Sequence, residues 1–226
     1  MIAASFVSRK VTVSRTLIKI CGITSADDAL AACNAGADAL GLVFYEPSPR
    51  GIRVQQARDI VAAIPPFVTV VALFVDESAA VIDRILEQVA VDCIQFHGSE
   101  SAAFCEQFGR PYLKALRVRP GQDIAAACQR YPGARAVLLD SWQPDLPGGT
   151  GTTFDWGLAP ARLARPLVLA GGLNDSNVGA AIRALAPAGV DVSGGVERAP
   201  GQKDIPKMSR FIAAVRAADL SDGAVQ

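Results

Sequence analysis

Histidine is almost missing from this chain: His97 is the only one in 226 residues. That argues against a metal centre built on imidazoles, and no metal site is expected. Cysteine is present but unpaired in pattern. Cys21, Cys33, Cys93, Cys105 and Cys128 are odd in number and none stands in Cys-x-x-Cys spacing. This argues against a disulfide framework and for a reducing, cytoplasmic setting. An excess of one charge is missing too, since 22 basic and 22 acidic residues cancel. No global field then points to nucleic acid or to an anionic membrane as partner. No apolar run reaches the ~18 residues of a spanning helix. The first strand is not followed by Gly-x-Gly-x-x-Gly, which argues against an open, doubly wound dinucleotide-binding sheet. The first fifteen residues hold no acid and carry Arg9, Lys10 and Arg15. They lack the apolar core of a secretory signal and read as a disordered extension, an organelle-targeting role being the weaker alternative.

What is there is a hydrophobic chain, half apolar, with 20 glycines. Short apolar runs alternate with helical stretches. Strands are expected at Thr16 to Cys21, Asp38–Phe44, Val68–Val75, Asp92–Phe96, Tyr112–Val118, Ala134–Leu139, Leu167–Ala170 and Gly189–Ser193. Helices follow them: after Thr24 or Ser25, over Val54–Ile64, from the Ser78 cap to Val89, from a Ser99 cap to Phe108, over Gln122–Arg130, from an Asp155 cap through Leu163, over Asn174–Ala186 and over Ile205–Ala218. Alternation at this spacing implies parallel strands. Eight units in a chain of this length are enough to close a single-domain (β/α)8 TIM barrel. The expected organisation is an extension at 1–15, the barrel at 16–218 and a frayed tail at 219–226.

In such a barrel ligands bind at the carboxyl ends of the strands. Those ends supply Cys21, Arg50 in the second loop, His97, Asp140, Gly171-Gly172 and Ser193-Gly194-Gly195. Cys21 lies where a strand turns into a helix, a place that favours a thiolate; the plainer alternative is a packed core cysteine. The two glycine pairs let backbone N–H groups approach a phosphate, with Val196–Arg198 as the short extra helix beside it. Alternation along strands puts Lys19 and Cys21 on one face, and Leu138 and Asp140 on one face. A thiol and a carboxyl across a bound molecule suit proton transfer at two positions. Asp140 could equally be a cap, Arg50 either an anion fork or a surface charge, and His97 a residue that fixes its loop. The other four cysteines read as inert core.

The residues then resemble a known family. Lys19-Ile-Cys-Gly-Ile-Thr24, Gly41-Leu-Val-Phe-Tyr45 with Ser48-Pro-Arg50, Ile94-Gln-Phe-His-Gly98 and Leu138-Leu-Asp140 are similar to the phosphoribosylanthranilate isomerases of tryptophan biosynthesis. So are Gly148-Gly-Thr-Gly151 with Phe154-Asp-Trp156, Leu169-Ala-Gly-Gly-Leu-Asn174, and Val190-Asp-Val-Ser-Gly-Gly-Val-Glu197 with Pro200-Gly201 and Lys203-Asp204. They fall in the family's order over about residues 16 to 216. The resemblance implies a cofactor-free Amadori rearrangement of N-(5-phosphoribosyl)anthranilate. Asp140 is then the general acid, Cys21 the general base and Arg50 the holder of the anthranilate carboxylate. Gly171, Gly172, Ser193, Gly194 and Gly195 line the phosphate site, with Asp191 and His97 nearby. The implied partner is this small molecule alone, bound by a monomer, with a homodimer as the alternative. Two departures stand out: Gly-Thr-Gly-Thr-Thr before Phe154, where some members carry Lys, and Gly194 where Ser is common.

Two other functions compete. One is a related phosphosugar barrel, a histidine-pathway isomerase or an indole-glycerol-phosphate synthase. Those rely on paired aspartates, or on a lysine acid with a glutamate base, and Cys21 argues against both. The other is a phosphate-binding barrel without catalysis, which would need neither Cys21 nor Asp140.

Overall fold

The computed structural model describes residues 15–119, 121–141, 156–160 and 163–223. The expected extension up to residue 14, the glycine-rich loop 142–154 and the Asp155 cap lie outside them. Eight strands close into one parallel barrel in sequence order. They are β1 Leu17–Cys21, β2 Ala39–Val43, β3 Thr69–Phe74, β4 Cys93–Phe96, β5 Tyr112–Val118, β6 Ala136–Ser141, β7 Leu167–Leu169 and β8 Gly189–Val192. Closure comes from β1 against β8, with Leu17 opposite Gly189 and Lys19 opposite Asp191. Around the barrel lie α1 Ala26–Ala35, α2 Val54–Ala63, α3 Ala79–Gln88, α4 Ala102–Glu106, α5 Ile124–Gln129, α6 Val178–Leu185 and α7 Ile205–Gly223.

Local chemistry sets the ends of these elements. Ser25 accepts from the Asp28 N–H to open α1, Asp27 and Asp28 occupy its first turn, and Gly36 closes it at φ 104°. Period-2 alternation sorts the strand residues. Ile18, Ile20, Leu40, Leu42, Ile94, Phe96 and Leu139 pack outward in the large core beneath the helices. Inside the barrel the apolar residues fall into two smaller groups. One is Cys21, Val43 and Leu73; the other is Ala115, Leu138 and Ala170. Buried Lys19, Gln95, Asp140 and Asp191 complete the interior near the carboxyl ends. Polar groups inside a barrel carry a desolvation cost that packing alone does not repay, which directs attention to that end.

Four sequence expectations are corrected. The fourth helix is capped by Ser101, which accepts from the Phe104 N–H at 3.2 Å, not by Ser99. Glu100 turns inward instead, because buried Lys114 meets its carboxylate at 2.7 Å. The helix expected through Leu163 is, among the described residues, a single 3-10 turn at Trp156–Leu158. Pro160 has no N–H with which to continue it. The sixth helix begins at Val178 rather than Asn174, since Asn174 and Asn177 bond each other and Gly172 in a turn. The last helix runs to Gly223, past the expected frayed boundary at 219. Asp219 holds it there by accepting from the Thr16 N–H and hydroxyl at 3.1 and 2.7 Å.

Candidate active site

A cavity of about 360 Å³ opens at the carboxyl face of the barrel. Cys21, Arg50, His97, Asp140, Gly171, Gly172, Asp191, Ser193, Gly194 and Gly195 all line it. The barrel closure does this, because each residue sits at or just beyond the end of a strand. The short helix expected at Val196–Arg198 is instead a 3-10 turn at Gly194–Val196. Arg198 lies in a hairpin of β9 Glu197–Ala199 and β10 Gln202–Lys203.

Asp140 is the last residue but one of β6, with both oxygens engaged. Oδ1 accepts the Ser141 N–H at 2.8 Å, and Oδ2 lies 3.1 Å from His97 Nε2. Gln95 Nε2 lies 3.0 Å from His97 Nδ1. An amide N–H can only donate, so the network assigns the Nε2–H tautomer and has His97 donate to Asp140. His97 is therefore more than a loop-fixing residue: it orients the carboxyl. Each carboxyl oxygen keeps a second lone pair for a proton.

Across the cavity, Cys21 ends β1. Burial holds its thiol above the ordinary value; Lys19 pulls it down without offsetting that, and Asp191 pushes it up. Lys19 gives its ammonium to Asp191 Oδ2 at 2.9 Å, and its Nζ and the Cys21 Sγ both lie beside Gly41. Burial opposes that charge, but Asp191 and Cys21 together hold the Lys19 pKa above its ordinary value.

Arg50 departs from the simple picture of an open anion fork. Its Nε and Nη2 donate to Glu197 Oε1 and Oε2, each at 2.8 Å. Only the Nη1–Nη2 edge remains to face an incoming anion. Glu197 also takes the buried Lys203 ammonium at 2.8 Å, so it ties the second loop to the hairpin. Burial pushes the Glu197 carboxyl up, but Arg50 and Lys203 outweigh it and hold it below the usual carboxylate range. A depressed folded pKa contributes stability above the unfolded value, near 4.3, that is lost as pH falls through the folded value. Below about pH 4.3 the wild type should therefore lose urea resistance faster than Glu197→Gln, which has no carboxyl to protonate there. Parallel acid profiles for the two proteins would show that Glu197 does not contribute this dependence.

Three buried side-chain atoms at the cavity have no partner among the described residues: Gln95 Oε1, Asp191 Oδ1 and Ser193 Oγ. They suit hydroxyl groups of a bound molecule. Gln95 and Glu197 were not among the residues picked out from sequence. The signal for Gln95 was its spacing two before His97, which puts both on one face. No local signal marks Glu197 as the partner of Arg50.

At the other end of the cavity, Gly171 and Gly172 adopt φ of 80° and 66°. A side chain on Gly195 would collide with the Leu173 carbonyl. The amide groups of Gly172, Gly194 and Gly195 have no acceptor among the described residues. Such paired turns form a concavity for an anion. Gly195→Ala should fold but displace this loop and weaken phosphate-ester binding by about tenfold or more, equivalent to losing one charged hydrogen bond. Unchanged affinity for a sugar phosphate, measured by calorimetry, would place the anion elsewhere.

The fold and cavity define a class: a (β/α)8 barrel carrying a thiol and a carboxyl at its carboxyl face, beside a glycine-lined concavity. Residues 18–214 match the family described as N-(5'phosphoribosyl)anthranilate (PRA) isomerase. N-(5'-phosphoribosyl)anthranilate isomerase of Pseudomonas putida is 58% identical over 200 residues, covering 88% of this chain and 97% of that one. The crystal structure of phosphoribosyl anthranilate isomerase from Thermotoga maritima is 40% identical with TM-score 0.82, over 89% of this chain and 99% of that chain. A crystal structure of phosphoribosyl anthranilate isomerase in complex with reduced 1-(o-carboxyphenylamino)-1-deoxyribulose 5-phosphate is 38% identical with TM-score 0.79, over the same shares. The chain belongs to the N-(5'-phosphoribosyl)anthranilate isomerase family.

Proposed function

We propose that this chain converts N-(5'-phosphoribosyl)anthranilate to 1-(2-carboxyphenylamino)-1-deoxyribulose 5-phosphate by general acid–base catalysis within the barrel mouth. The observation that carries the reading is the placement of Cys21 and Asp140 in one cavity with the free amides of the glycine turns. The phosphate binds at Gly171, Gly172, Ser193, Gly194 and Gly195. The anthranilate carboxylate takes the outer edge of Arg50, which Glu197 keeps aimed. Asp191 Oδ1, Gln95 Oε1 and Ser193 Oγ accept from sugar hydroxyls.

Asp140 gives its proton to the furanose ring oxygen. The C1–O bond breaks as the anilino nitrogen lone pair forms C1=N. Cys21, as thiolate, takes the proton from C2, and those electrons form C1=C2 and neutralise the iminium. The resulting enol-amine gains a proton at C1 and releases the proton of its C2 hydroxyl, becoming the ketone at C2, so that no net proton is taken up or lost. No oxidant and no cofactor enters, because the two carbons exchange oxidation level internally. Lys19 matters here, since a free thiol with pKa ~8.5 is only a few per cent thiolate at pH 7.

No helix among the described residues is long and apolar enough to cross a membrane. Together with unpaired cysteines and balanced charge, this supports a cytoplasmic enzyme of tryptophan biosynthesis. The test is the fluorescence of freshly prepared phosphoribosylanthranilate. Purified protein should abolish it at a rate proportional to enzyme, with the deoxyribulose product identified by mass and retention. No decay above the spontaneous rate would remove the assignment.

A further inference from the structure

We propose that Lys19 is a positioning residue for Cys21: Gly41 leaves the room in which the ammonium and the thiol lie side by side, and Asp191 sets how much of its charge the sulfur receives. This rests on Cys21 being the base of the reaction above.

The geometry begins at β2. Gly41 lies directly opposite Cys21 in the parallel register. A Cβ built on Gly41 would stand 2.7 Å from Cys21 Sγ and 2.8 Å from Lys19 Nζ. Both atoms therefore occupy the volume that any other residue would fill with its first carbon. It would also stand 3.0 Å from the Cys21 Cα, which cannot swing aside as a side-chain tip can. The missing side chain at 41 is what lets a buried ammonium and a buried thiol share one space inside the barrel.

Lys19 is also fixed from the opposite side. Its Nζ donates to Asp191 Oδ2 at 2.9 Å across the β1–β8 closure, and both side chains are nearly inaccessible. The ammonium thus lies between the Asp191 carboxyl and the Cys21 thiol. Asp191 holds it in place and at the same time screens its charge from the sulfur. These two roles have opposite signs at Cys21. Removing Lys19 withdraws a cation from the thiolate, whereas neutralising Asp191 leaves the cation and withdraws a competing anion.

The other charged groups around the thiol are few. Lys203 and Arg50 both favour its anion, but each is committed to Glu197. Cys93, on β4, also feels Lys19, and its own thiol is pushed up to about 11 by burial. Asp140, across the cavity, is held by His97 and Ser141. Among the described residues, Lys19 is therefore the one cation near the sulfur whose position depends on Gly41 and Asp191 alone.

The experiment reads the thiol rather than turnover. Iodoacetamide labelling of Cys21 is followed from pH 6 to 10 by mass analysis of its peptide, in the full chain. Lys19→Met should slow labelling at pH 7.5 at least tenfold and move its midpoint up. Lys19→Arg should restore much of the rate. Asp191→Asn should speed labelling and move the midpoint down. Gly41→Ala should behave like Lys19→Met although both charges remain. An unmoved midpoint in folded Lys19→Met, or shifts of the same sign in Lys19→Met and Asp191→Asn, would overturn the proposal. If Lys19→Met does not fold, Asp191→Asn decides alone, since an unchanged or raised midpoint there overturns it. Labelling that responds as expected in a protein without isomerase activity would instead overturn the functional reading.

Discussion

Replacing Asp140 by Asn should lower kcat by roughly two to four orders of magnitude, the range for loss of a positioned acid. Affinity for a product analogue should stay within about threefold, because Asp140 is assigned to hold neither the phosphate nor the carboxylate. An amide has no proton acidic enough to open the furanose ring. It also presents an NH₂ where the carboxyl accepted two donors, from the Ser141 N–H and from His97. One of these donors loses its acceptor, so a stability loss of about 1–3 kcal/mol accompanies the change. The measurement is therefore kcat at saturating substrate on folded variant, with analogue affinity measured separately. Near-normal kcat would show that another group protonates the ring oxygen. Cys21→Ser should give a loss of similar size for the complementary reason, since a hydroxyl in the same place is a far weaker base.

The second large effect is on stability. Lys114→Met should destabilise the fold by about 3–5 kcal/mol, the cost of removing one partner from a buried ion pair. For a chain of this size that is a fall in Tm of about 6–20 °C. The Lys114 ammonium is almost wholly buried, 2.7 Å from Glu100 Oε2 and 2.7 Å from the Gly98 carbonyl. It also lies 5.5 Å above the Tyr131 ring. Glu100 in turn accepts from the Asp76 and Gly98 N–H groups through Oε1. The pair thus ties together the loops that follow β3 and β4, one of which carries His97. Lys114→Met should leave an uncompensated carboxylate in that position. Adding Glu100→Leu should recover part of the loss, because the remaining charge is then removed. A Tm within 2 °C of wild type for the single variant, by calorimetry, would show that water reaches Glu100 in solution. That threshold corresponds to about 1 kcal/mol or less.

The barrel itself was legible in the chain. Each strand is a short apolar run followed by a break. Runs of that kind are what a strand buried on both faces requires. Alternation along β1 and β6 was enough to turn Cys21 and Asp140 to the same side as Lys19 and Leu138, and the strand-end rule was enough to bring the glycine pairs beside them. Less was legible where a local signal was ambiguous. Ser99 read as the cap of the fourth helix, but the cap is Ser101, because Glu100 is drawn inward by Lys114, fourteen positions away.

What the sequence alone determined, then, is which residues reach the mouth of the barrel, since face and strand end are local properties with periods of two residues. What only the tertiary structure decided is how those residues are partnered there. Arg50 meets Glu197 across 147 positions, Lys19 meets Asp191 across 172, and His97 meets Asp140 across 43. No periodicity reports such pairs. They follow from the register at which the strands close, and from burial: with water excluded, each charge takes the partner that the closed ring brings within reach.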